Sequence, residues 1–141
     1  MNGIKTVILK ELTSRQQQEL LELFAEAEFA DVGDGVQWLA DAVKNSLLAV
    51  GALDEAGHLI GFARALGDGS SDCYIQDVTV KNSFRRRGIG GELVKFLLQE
   101  LQARNIDWIG LIATPGKAEF YRQLGFEVMT GFTPMRWKNN S

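Results

Sequence analysis

The stretch FRRRGIGGELVKFLLQEL, residues 84–101, constrains this chain more than any other. Arg85, Arg86 and Arg87 run into Gly88, Gly90 and Gly91, after which Leu93, Val94, Leu97, Leu98 and Leu101 repeat at helical spacing. A helix start leaves several backbone N–H groups without intrahelical acceptors and carries about half a positive charge. Glycines let a bulky anion approach those donors, and arginines add long-range attraction. Taken alone, the pattern suits either a pyrophosphate or a flexible basic turn. It has no Gly-Lys-Ser/Thr for a phosphate loop. It also lacks the third glycine of a dinucleotide fold and the acidic strand end about 20 residues on.

The flanking pattern supplies a framework. TVILKEL predicts a short strand, and Thr13 or Ser14 an N-cap for the helix RQQQELLELFAEAEF, carried by Leu20, Leu21, Phe24 and Ala27. DVGDG breaks that helix, and Val36, Leu39, Ala40 and Val43 predict a second, shorter one up to Asn45. Between Ser46 and Val80, three apolar, β-prone runs separated by DEAG and GDGSSD predict an antiparallel meander. The helix after the glycines should end near Arg104 and Asn105. DWIGLIA then predicts a buried strand, GKAEFYRQLG a short helix with Gly125 at its C-terminal end, and FEVMT and PMRWK two final strands. This order implies a mixed α/β fold, sheet segments covered by helices, in a single domain over residues 1–141.

Composition removes several function classes. With 45% hydrophobic and 23% charged residues the chain reads as globular, and a formal charge of -3 argues against a general nucleic-acid partner. Cys73 is the sole cysteine, so no internal disulfide is expected, and MNGIKTVILKEL lacks the apolar core of a signal peptide. A cytoplasmic location is the expectation. No apolar run approaches the roughly 20 residues that span a bilayer, and no ligand cluster suggests a metal.

DVTVKNSFRRRGIGGELVKFLL resembles the acetyl-CoA-binding signature of the GNAT superfamily of N-acetyltransferases, Arg/Gln-x-x-Gly-x-Gly/Ala after a strand ending in an aliphatic-x-Val. Downstream, AEFYRQLGFEVM resembles the family's second signature in its Phe-Tyr pair and its Gly-Phe. Together these cover Tyr74 to Met129. The resemblance implies a central, mostly antiparallel sheet with helices on both faces, and transfer of an acetyl group from acetyl-CoA to a primary amine without a metal. It assigns the cofactor pyrophosphate to the loop formed by Arg85, Arg86, Arg87, Gly88, Ile89, Gly90 and Gly91. It assigns the pantetheine arm to Val78, Thr79 and Val80, a strand-like ligand added to an exposed edge. In the family, a tyrosine at the position of Tyr121 commonly protonates the departing thiolate, and a phenol with an unperturbed pKa near 10 still carries its proton at pH 7. The alternative for Tyr121 is a core aromatic.

Freeing a lysine-like amine of its proton at pH 7 costs roughly 4 to 5 kcal/mol, so a base is expected. Asp77, just before the cofactor-contacting strand residues, is the best-placed carboxylate by sequence; its alternative is a structural hydrogen bond. The oxyanion would be met by a backbone amide near Val78. The segments EFADVGDGVQW and MTGFTPMRW are the variable walls of the family's acceptor site. Asp31 and Asp34 would attract a cationic amine and Phe29, Trp38 and Phe132 would pack an apolar one, against the alternative of capping aspartates and core aromatics. His58 is expected to decorate a hairpin turn, and Cys73 to be a small buried residue. A small-molecule amine is the expected acceptor. A protein lysine or N-terminal amine, or a non-catalytic acyl-CoA sensor, are the alternatives, and a homodimer is the expected oligomer if one forms.

Overall fold

A computed structural model describes residues 3–139. The chain divides into two compact units, Met1–Leu111 and Ile112–Ser141. In the first, Thr13 opens helix α1, Ser14–Glu26, with a reciprocal cap. Its Oγ1 accepts from the Gln16 N–H at 3.1 Å, while Gln16 Oε1 accepts from the Thr13 N–H at 3.0 Å. Thr13→Ala is therefore expected to cost about 1 kcal/mol of stability in a urea titration, with an unchanged m-value.

Five strands form one sheet in the order β1-β2-β3-β4-β5: Lys5–Ile8, Leu48–Leu53, Leu59–Gly67, Asp72–Val80 and Trp108–Gly110. The first four are antiparallel, as the meander predicts, and β5 runs parallel to β4. Asp68 shapes the turn between β3 and β4. It accepts from the backbone N–H groups of Ser71 and Ser70 and from the Ser71 hydroxyl, and these bonds hold its carboxyl well below the usual carboxylate range.

Helices cover both faces of the sheet. Helix α1 and helix α2, Gln37–Asn45, bury Leu20, Leu23, Phe24, Leu39 and Val43 with Phe62 of β3. On the adjacent residue, a Cβ added to Gly61 would meet Leu93 Cδ1 at 3.1 Å and Ile89 Cγ2 at 3.4 Å. Neighbours on a strand point to opposite faces, so α3, Ile89–Ala103, lies across the sheet from α1 and α2. Asn105 ends α3 in a left-handed conformation, φ 61°, and the Ile106 N–H reaches back to the Leu101 carbonyl at 3.1 Å. Cys73 is fully buried, and desolvation raises its thiol above the ordinary value. Among the described residues no helix is long and apolar enough to cross a membrane.

Two strand expectations are corrected. The predicted buried strand DWIGLIA reduces to Trp108–Gly110, whose residues are half-buried or exposed because β5 pairs on one side only. In the second unit FEVMT and PMRWK form no strand, although helix α4, Ala118–Gln123, is present. A strand requires a ladder partner, and among the described residues no segment pairs with 126–139. Gly131, at φ 86°, and Pro134, which lacks an N–H, interrupt the pattern there.

Candidate active site

The first unit carries an opening in its sheet. Among the described residues β4 pairs with β5 only at Asp72, Cys73 and Tyr74, so Ile75 to Val80 meet no strand partner there on that edge. Midway, the register with β3 slips: Arg64 faces Gln76 whereas Phe62 faces Thr79. Asp77 and Val78 thus oppose the single residue Ala63, which is a β-bulge. Asp77 takes the left-handed conformation there, φ 59°, tolerable for a short polar side chain. Arg64 Nε donates to Asp77 Oδ2 at 2.6 Å, with both side chains mostly buried, so one cross-strand ion pair clasps the bulge.

Beyond β4 a 3-10 turn, Asn82–Phe84, leads into the basic loop. The first bond that closes α3 is from the Glu92 N–H to the Gly88 carbonyl, 3.1 Å. Among the described residues, no backbone hydrogen bond runs from the N–H groups of Arg86 or of Gly88 through Gly91, while a turn closes over Arg85 and Arg86. Arg86 at φ 66° and Gly88 at φ 78° are both left-handed, the kind of backbone that turns successive N–H groups toward one hollow. A Cβ on Gly88 would meet nothing within 4 Å, so conformation rather than crowding calls for glycine. The arginines divide: Arg85 Nε reaches the Val80 carbonyl at 3.5 Å, and the Arg87 guanidinium sits 5.0 Å over the Phe84 ring. Together these features make an anion cradle at the end of an open strand edge.

In the second unit Tyr121 is held by the end of α4. The Gly125 N–H bonds to the Arg122 carbonyl and the Phe126 N–H to the Tyr121 carbonyl at 3.1 Å, with Gly125 at φ 101°. This two-bond helix ending normally brings an apolar contact between the residues at Tyr121 and Phe126, and their ring centroids are 5.8 Å apart. Phe120 closes the other side at 4.9 Å. Burial pushes the Tyr121 phenol above its ordinary value.

Residues 45–128 match the acetyltransferase (GNAT) domain family, and the match contains β4, the basic loop and Tyr121. The chain belongs to the GNAT family. It is 32% identical over 112 residues to a chloroplastic serotonin N-acetyltransferase of Oryza sativa subsp. japonica, covering 79% of this chain and 48% of that protein. It is 35% identical over 113 residues to a histone acetyltransferase of Glycine max, covering 72% and 49%. The chain thus spans about half the length of these curated relatives. A GNAT acetyltransferase structure from Streptococcus pneumoniae superposes with a TM-score of 0.78 at 29% identity, covering 98% of this chain and 99% of that one. The mixed sheet with helices is the GNAT fold.

The residues expected on the acceptor side lie outside the matched GNAT segment, with Phe29, Asp31, Asp34 and Trp38 before it and Phe132 after it. Phe29 and Trp38 are 40% and 43% exposed, each with its ring against buried Phe24, at 5.7 and 5.9 Å. Asp34 Oδ2 accepts from the Asp31 N–H at 3.0 Å, which makes Asp34 a turn-holding side chain. Phe132 is 73% exposed. His58 is on the β2–β3 hairpin, with Nδ1 2.7 Å from Glu19 Oε2, in a hollow of about 380 Å³ against α1. Glu19 also accepts from the Leu59 N–H and Glu26 from the Asn82 N–H, so these carboxylates staple α1 to the sheet. Among the described residues no cluster of three His, Cys, Asp or Glu side chains is arranged to hold a metal. Sequence reasoning missed Arg64. The signal was a lone charge within LIGFARALG, an otherwise apolar strand.

Proposed function

We propose that the chain is an N-acetyltransferase that moves an acetyl group from acetyl-CoA to the primary amine of a small molecule. One observation carries this reading: in a single unit, and among the described residues, the unpaired edge of β4 is followed, one short turn later, by four consecutive N–H groups, Gly88 to Gly91, without backbone acceptors. The edge suits the amide-bearing pantetheine arm, paired to Val78, Thr79 and Val80, and the N–H groups of Arg86 to Gly91 suit the pyrophosphate. Arg86 supplies charge to the phosphates, and Arg85 and Arg87 stiffen the loop.

The thioester carbonyl then lies beside the bulge, where the Val78 N–H donates to its oxygen as negative charge develops. The amine nitrogen attacks the carbonyl carbon, a C–N bond forms, and the C–S bond breaks. Tyr121 gives its phenolic proton to the leaving thiolate, and its raised affinity for that proton keeps it in the acid form. Asp77 Oδ1 takes the amine proton through water while Arg64 holds Oδ2. The relative named for serotonin supports a small amine. The relative named for histone supports a second reading, a protein lysine.

Coenzyme A at one hundred times its dissociation constant is expected to stabilise the protein by about 2.7 kcal/mol, read as a rise in Tm. Gly88→Val forces a branched residue into a left-handed position and lays methyl groups over the donors, so about tenfold weaker CoA binding is expected. An unchanged Tm with saturating CoA would remove the CoA reading. Thiol release from acetyl-CoA with a panel of small amines and lysine peptides then separates the two acceptor classes.

A further inference from the structure

The sheet face opposite Cys73 and Ile75 carries a second built feature. Side chains two apart on a strand share a face, and so do register partners on adjacent strands. Asp72, Tyr74 and Gln76 of β4 therefore share a face with Leu66 and Arg64 of β3 and with Trp108 and Gly110 of β5. On it the Tyr74 and Trp108 rings meet at 5.2 Å and 57°, yet remain 49% and 38% exposed.

Gly110 explains how the indole is held. A Cβ at Gly110 would lie 2.6 Å from both Trp108 Cζ3 and Cη2, and 3.5 Å from Tyr74 Cε1. The indole thus lies over the one position without a side chain and against the tyrosine, and any other residue there would push it away. An exposed tryptophan seated in this way presents a rigid aromatic surface before any ligand arrives. Its surroundings are acidic. From Ala65 to Gln76 the chain carries Asp68 and Asp72 and no lysine or arginine, and Asp107 precedes the tryptophan. The Arg64 charge is already taken by Asp77.

The geometry points to the Tyr74–Trp108 surface as the seat for an aromatic ring of the acceptor, which makes the acceptor an arylalkylamine. This rests on the proposed acetyl transfer. Gln76, the last residue before the bulge, is two residues beyond Tyr74, roughly 7 Å at about 3.3 Å per residue, a span that an aryl ring with a short aminoalkyl chain covers. The ring stacks on Tyr74 and Trp108, the acidic rim draws in the ammonium form, and the chain points the nitrogen toward Val78.

The test compares 2-phenylethylamine with n-hexylamine, using Trp108→Ala and Trp108→Phe. For the wild type, phenylethylamine is expected to bind at least about tenfold more tightly than hexylamine in calorimetric titrations with CoA present. Trp108→Ala should abolish that preference and raise the phenylethylamine KM about tenfold, leaving the acetyl-CoA KM unchanged, while Trp108→Phe retains most of it. An equal preference in the wild type and Trp108→Ala, with both folded by circular dichroism, overturns the assignment. Binding that follows Trp108 without any acetylated product would sustain the aromatic seat and sink the acetyl-transfer reading instead.

Discussion

Tyr121→Phe is expected to lower kcat by about 10² to 10³, with Tm and the acetyl-CoA KM close to wild type. The phenol hydroxyl is the only group removed, and the ring keeps its edge contacts with Phe120 and Phe126. A thiolate that leaves without a proton is a poorer leaving group, so the loss should fall on the chemical step. It should shrink with a donor whose thiol is more acidic. Burial raises the phenol above its ordinary value near 10, so in the wild type its ionisation should not limit kcat below pH 10. The sign for stability agrees. The folded chain holds this proton more tightly than the unfolded one, so the contribution is complete below about pH 10 and is lost as pH rises through the raised value. Single-turnover rates at wild-type level in Tyr121→Phe would refute the acid role.

Asp77→Asn should cost about 10² in kcat. Asparagine tolerates the left-handed φ of 59°, and its carbonyl oxygen still accepts from Arg64 Nε. The bulge therefore survives while the proton acceptor does not. Arg64→Met does the reverse: it keeps the carboxylate but frees the bulge, so acetyl-CoA binding and kcat should both suffer. If Asp77→Asn kept kcat within about threefold, the aspartate would be a clasp alone and the base would lie elsewhere.

These two residues also mark how far the chain could be read in advance. Helix ends were legible because their causes are local: Thr13 with Gln16, Asn105 after Ala103, and Gly125 between Tyr121 and Phe126 each complete a cap within a few residues. The basic loop was legible for the same reason. The bulge was not, because an apolar strand pattern is silent about a register slip, and Arg64 and Asp77 meet only through the pairing of β3 with β4. Tyr74 and Trp108 are brought together the same way, by a parallel pairing of three residues. FEVMT and PMRWK have strand-type composition, but composition is permission and pairing is the cause. Asp34, expected to face an amine, is occupied in its own turn, a contact any short aspartate loop offers.

The N–H groups between Arg86 and Gly91 belong to the main chain, which every residue type but proline supplies. Under the proposed reading, donor choice would be largely uncoupled from side-chain identity, except where left-handed backbone needs Gly88. On the same reading, acceptor choice would rest on Tyr74 and Trp108, neither of which supplies those N–H groups. On that proposal, exchanging the aromatic wall for a charged or narrower one would retarget the amine while coenzyme binding stayed unchanged.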